Sequence, residues 1–80
     1  MASKDYWKLE ASTDGTVSQI LFSPGDQVTT GDEILVLEAM KMFFYETAPG
    51  DGFFYPLVPV GVSVRQGQLI GKIFLEKRTA

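Results

Sequence analysis

Lys41 stands between two methionines in the stretch EAMKMFFYE (residues 38–46), after an aliphatic run and before three aromatic residues. An amine in such apolar company raises the question of its purpose, because little else in the chain can do chemistry. There is no Cys, which removes thiol nucleophiles, disulfides and cysteine metal sites. There is no His, which removes the usual general base at neutral pH and the commonest metal ligand. Asp26, Asp32 and Glu33 are acids dispersed among turn residues, so they read as turn acids and no metal site is expected. Without a phosphate-binding glycine loop or a convincing acid pair, the residues do not assemble a self-contained enzyme. A lysine amine is protonated at neutral pH, and no neighbour of Lys41 in sequence is suited to take that proton.

Composition bounds the partners. The chain has 80 residues, 45% apolar and 21% charged, enough for one small domain with a modest core. Ten acidic against seven basic residues give a net charge of −3 with no basic cluster, which argues against a nucleic-acid or anionic-membrane surface. The N-terminal MASKDYWKLE lacks the apolar stretch of a signal peptide, and no apolar run reaches the length of a membrane span. The expectation is a soluble protein of the cytoplasm, or of an organelle matrix if cut from a larger precursor.

The elements that would position Lys41 are strands. GTVSQILF, EILVLEAM and LIGKIFLE are rich in Val, Ile, Leu and Phe, and turn residues bound them. No window carries a helical stripe, so almost no helix is expected. The chain also repeats itself. ASTDG at 11–15 matches APGDG at 48–52, and GDQVTTGDEIL at 25–35 matches GVSVRQGQLIG at 61–71, pairing Gly25 with Gly61 and Gly31 with Gly67. Glycines at these spacings suggest turns that need positive φ or close backbone approach, used once per half. Two copies of such a unit predict an all-β sandwich or flattened barrel with pseudo-two-fold symmetry. At its midpoint, strands over 33–39 and 42–48 leave only Met40 and Lys41 to turn the chain, a tight hairpin with Lys41 at an exposed tip.

With these residues in hand, LEAMKM resembles the biotinylation motif of biotin carboxyl carrier domains, whose central lysine takes biotin in amide linkage. DGTV upstream, the GD·V··GD spacing, APGDG downstream and GQLI near the end agree with that family. The resemblance covers residues 9–75, leaving 1–8 as an extension and 76–80 as a tail. It implies a flattened β-barrel of two four-stranded antiparallel sheets with Lys41 on the hairpin between halves. It also implies covalent biotin on Lys41, attached by a biotin protein ligase for which Glu38, Ala39, Met40 and Met42 form the recognition context. The carrier itself would be non-catalytic. It would shuttle carbon dioxide from a biotin carboxylase site to a carboxyltransferase site of a carboxylase, decarboxylase or transcarboxylase. No thumb insertion interrupts GTVSQILFSPGD.

Two features depart from that pattern. Matching the halves puts Glu46 opposite Leu9, at an inward position, so its carboxylate must face water, find a partner or sit in a shifted register. Phe43, Phe53 and Tyr55 are expected on outer strand faces, where together they would make an aromatic docking patch, unless a segment carrying Tyr6 and Trp7 folds over it. The rival functions are a lipoyl carrier, whose motif normally has an acid before the lysine and a small residue after it, and an unmodified interaction module.

Overall fold

Short runs of β-branched and aromatic residues, cut by turns, leave no stretch suited to a helix. The computed structural model describes residues 5–77, and among them the regular elements are all strands. These are β1 (Tyr6–Glu10), β2 (Gly15–Ile20), β3 (Gln27–Val28), β4 (Glu33–Ala39), β5 (Met42–Thr47), β6 (Gly52–Pro56), β7 (Ser63–Val64) and β8 (Leu69–Phe74). They form two four-stranded antiparallel sheets, ordered β1-β8-β6-β3 and β5-β4-β2-β7. Exchanging β1 with β5, β2 with β6, β3 with β7 and β4 with β8 turns one order into the other. This is the expected pseudo-two-fold sandwich. β1 also takes in Tyr6, Trp7 and Lys8, which the sequence repeat does not reach.

Equivalent positions supply the core from both sheets. Val17 and Phe54, Val28 and Val64, and Ile34 and Ile70 are each at most 3% exposed. Burying an aliphatic or aromatic side chain of this size contributes about 1.5–3 kcal/mol. Turns fasten the layers in matching ways. Gly31 and Gly67 have φ of 91° and 84°, and their N–H groups donate to the carbonyls of Ala48 and Ala11. A side chain is strained at such φ values, which accounts for both glycines.

Glu46 keeps the inward register and finds a partner. It is 5% exposed, against 4% for Leu9, and its carboxylate accepts hydrogen bonds from the Ser12 backbone N–H and the Ser12 hydroxyl. Partnering meets the cost of burying the carboxylate.

The single aromatic patch is not formed. Phe43 lies on β5 in one sheet, whereas Phe53 and Tyr55 lie on β6 in the other. Because both sets face outward, the sandwich separates them by its full thickness. On the β6 side the N-terminal strand does take part. Tyr6 and Tyr55 each place a ring 5.4 Å from that of Phe74, and the Lys72 amine sits 4.4 Å from the Tyr6 ring centroid. Trp7, next along β1, packs instead on Gly50, where any Cβ would run into the indole.

Candidate functional site

β4 and β5 pair from Glu33↔Thr47 to Glu38↔Phe43 and Ala39↔Met42. That register leaves Met40 and Lys41 to close the hairpin. Both adopt left-handed backbone, with φ of 52° and 67°. A two-residue turn with positive φ at both positions matches the right-handed twist of its strands, and it normally uses Asn-Gly. Left-handed backbone costs an ordinary L-residue about 1–2 kcal/mol. The Met-Lys pair is therefore held by the ladder behind it, not by its own preference.

The ladder at that end is buttressed by β2. Thr16 pairs with Glu38, and Gly15 lies so close that a Cβ there would sit 2.8 Å from the Glu38 carbonyl oxygen and 3.5 Å from the Ala39 Cβ. The sequence carried a signal for this contact, because Gly52 repeats Gly15 and is itself packed on the Phe74 carbonyl. A glycine recurring just after each Asp marks a close backbone approach as readily as a turn.

The residues singled out from sequence gather here. Lys41 is exposed at the tip, Met40 is 95% exposed, Met42 is 59% exposed, Glu38 faces solvent and Ala39 is half-buried at the hairpin base. Phe43 joins them through its pairing with Glu38. Phe53 and Tyr55 do not. Sequence reasoning missed Tyr45, which is exposed beside Phe43 and flanks Val36 on the outer face of the same sheet. Alternation along FFYE would have found it, since residues two apart share a face.

Asp26 and Asp32 serve their own turns. The Asp26 carboxylate accepts from the Ser23 N–H at 2.8 Å, and that of Asp32 from the Thr29 N–H at 2.8 Å. Each caps its own turn. The site's chemistry therefore reduces to one exposed primary amine on a braced hairpin, flanked by polarizable thioethers. An acyl group in amide linkage fits such an amine, because nothing at the tip would clash with it.

The family model described as biotin-requiring enzyme matches residues 7–73. The α3 subunit of a biotin-dependent acyl-coenzyme A carboxylase from Mycobacterium leprae is 41% identical over 64 residues, 79% of this chain and 11% of that protein. The biotin carboxyl carrier protein of acetyl-CoA carboxylase from Solanum lycopersicum is 41% identical over 54 residues, 66% of this chain and 77% of that protein. Among solved structures, Kluyveromyces lactis urea carboxylase superposes with a TM-score of 0.82 at 28% identity, covering 91% of this chain and 6% of that one. A single-chain, multi-domain long-chain acyl-CoA carboxylase gives a TM-score of 0.76 at 29% identity, covering 100% of this chain and 8% of that one. The chain thus spans about a tenth or less of the large carboxylases it matches. From the family model matched over residues 7–73 and the shared sandwich, the chain belongs to the biotin-requiring-enzyme family of biotinyl and lipoyl attachment domains.

Proposed function

We propose that the chain is a biotin carboxyl carrier, with biotin joined in amide linkage to Nζ of Lys41 by a biotin protein ligase. The observation that carries this reading is Lys41 itself, an exposed amine at the tip of a two-residue turn between two exposed methionines. When bound, biotin supplies a ureido nitrogen able to carry carbon dioxide between a carboxylase site and a carboxyltransferase site. The rest is the work of the chain's own residues. The strained turn and the Gly15 contact hold the attachment point rigid, so mobility is confined to the side-chain arm. Met40 and Met42 give a soft apolar surface that successive enzyme pockets can accept. Tethering makes both encounters intramolecular, with effective concentrations on the mM scale for a well-matched linker.

The chain acts as a carrier and not as a catalyst, and its acceptor substrate is bound elsewhere in the parent assembly. In support, the carboxylates of Asp14, Asp26, Asp32 and Asp51 are all engaged by backbone N–H groups of turns. The methionines beside Lys41 favour biotin over lipoyl, whose usual neighbours they replace.

Intact mass and peptide mapping after co-expression with a biotin ligase and added biotin test the reading. The expected result is one biotinyl group on Lys41, absent in Lys41→Arg. An unmodified Lys41, under conditions that load a known carrier, overturns it.

A further inference from the structure

A shallow groove opens on the outer face of the second sheet, lined by Asp14, Gly15, Thr16, Ser63, Arg65 and Gln68. It borders the hairpin base, because Thr16 pairs with Glu38 on one side and with Ser63 on the other. Adjacent strands lie about 5 Å apart, so the groove begins within about 10 Å of the end of β4. Two of its polar groups are already engaged. Asp14 accepts from the Gln66 N–H at 2.8 Å, and the Gln68 side-chain oxygen accepts from the Arg65 N–H at 3.0 Å. Both hold the 65–68 turn. The hydroxyls of Thr16 and Ser63 remain open to a ligand. The Arg65 guanidinium has no ion-pair partner among the described residues.

The pseudo-two-fold shows that the fold does not require this groove. The equivalent positions, offset by 36 or 37, hold Phe53 for Thr16, Gln27 for Ser63, Thr29 for Arg65 and Asp32 for Gln68. On that side an aromatic ring occupies the strand position and an acid replaces the amide, with no cation. The polar, cationic version stands only beside Lys41.

We propose that the groove is a resting site for the head of the arm on Lys41, a neutral cyclic urea. This rests on the biotin reading above. The urea carbonyl accepts from the Arg65 guanidinium, and its N–H groups donate to the Thr16 and Ser63 hydroxyls. The four-carbon lysine stem, extended by an acyl chain of similar length, spans the intervening strands. Each such bond replaces one to water and contributes little net, so the head leaves readily when an enzyme pocket offers more.

The test uses the whole chain, ¹⁵N-labelled, with amide spectra of loaded and unloaded protein compared for wild type, Arg65→Gln and Thr16→Phe. Arg65 and Thr16 are both exposed, so both variants retain the core, and Thr16→Phe copies the residue at the equivalent position. Loading of the wild type is expected to shift amides at 14–16 and 63–68 as well as those at 39–43. In both variants the groove shifts vanish and the hairpin shifts stay. Shifts confined to 39–43 in fully loaded wild type overturn the groove, and so do groove shifts that survive both substitutions. Intact mass on the same samples separates the two readings, because an unloaded chain overturns the biotin assignment and the groove proposal with it.

Discussion

Leu9 and Glu46 hold equivalent places in the two halves, as do Gly15 and Gly52, and Asp14 and Asp51. The glycines do the same work twice, letting β2 and β6 approach a neighbouring carbonyl. The aspartates also do the same work, each accepting from a backbone N–H in the turn across from it. Among the differences between the halves, three bear on the lysine or on the core. β4 runs into β5 through Met40 and Lys41, whereas the equivalent pair, β8 and β1, is not consecutive in the chain. Arg65 has a threonine as its counterpart. Glu46 is a buried acid where Leu9 is a buried hydrocarbon. The matched glycines and aspartates brace both halves alike, whereas two of these three departures, the hairpin and Arg65, lie on the side of the lysine, with Glu46 the exception to be explained.

The sharpest test of that exception compares the two inward positions. Leu9 belongs to the buried cluster, so Leu9→Ala is expected to cost about 2–5 kcal/mol through lost burial and the cavity it leaves. Glu46→Leu is expected to change stability by about 1 kcal/mol or less, because Ser12 is exposed and its donors can turn to water. Urea unfolding of both variants reads the difference. A loss at Glu46→Leu as large as at Leu9→Ala would mean that the Ser12–Glu46 pair is a structural tie and not a tolerated departure.

The same contrast explains what the sequence made legible. The spacing of Gly25, Gly31, Gly61 and Gly67 exposed the repeat, and the repeat pointed to the pseudo-two-fold sandwich and the place of the hairpin, because glycine is used where backbone must take positive φ. The two-residue gap at Met40 and Lys41 gave the turn. Glu46 could be placed from the repeat, but its partner could not, since Ser12 is 34 residues away and carries no pattern of its own. The supposed patch of Phe43, Phe53 and Tyr55 failed for a related reason. Alternation shows that a residue faces outward but not from which sheet, and that depends on topology. The groove around Arg65 was equally hidden, because its lining comes from two segments, 14–16 and 63–68, far apart in the chain.

A second contrast lies within the backbone. Six positions among the described residues have left-handed φ, and four of them are glycine. The other two are Met40 and Lys41, which points to strain retained where function needs a side chain. Lys41→Gly is expected to abolish loading and yet raise stability by about 0.5–1 kcal/mol. Relief of left-handed strain outweighs the added entropy of the unfolded chain. The midpoint of urea unfolding checks this. A destabilised variant would show that the lysine stem packs on the hairpin, contrary to its exposed position.

The smallest effect separates the two aspartates. Asp51 accepts two hydrogen bonds at 2.8 Å, from the Thr30 N–H and the Thr30 hydroxyl, whereas Asp14 accepts one, from the Gln66 N–H. The Thr30 backbone bond first, and its hydroxyl second, hold the Asp51 carboxyl below the usual carboxylate range. The folded state therefore favours the ionised form. Its contribution is fully present above about pH 4, where the unfolded carboxylate is ionised too, and is lost as pH falls through the depressed folded value. Asp51→Asn should lower the unfolding midpoint slightly at neutral pH, by more than Asp14→Asn does, and its deficit should close as pH falls through that depressed value. A deficit that stays constant as pH falls would mean that Asp51 serves the turn through its shape and bonding alone and not through its charge.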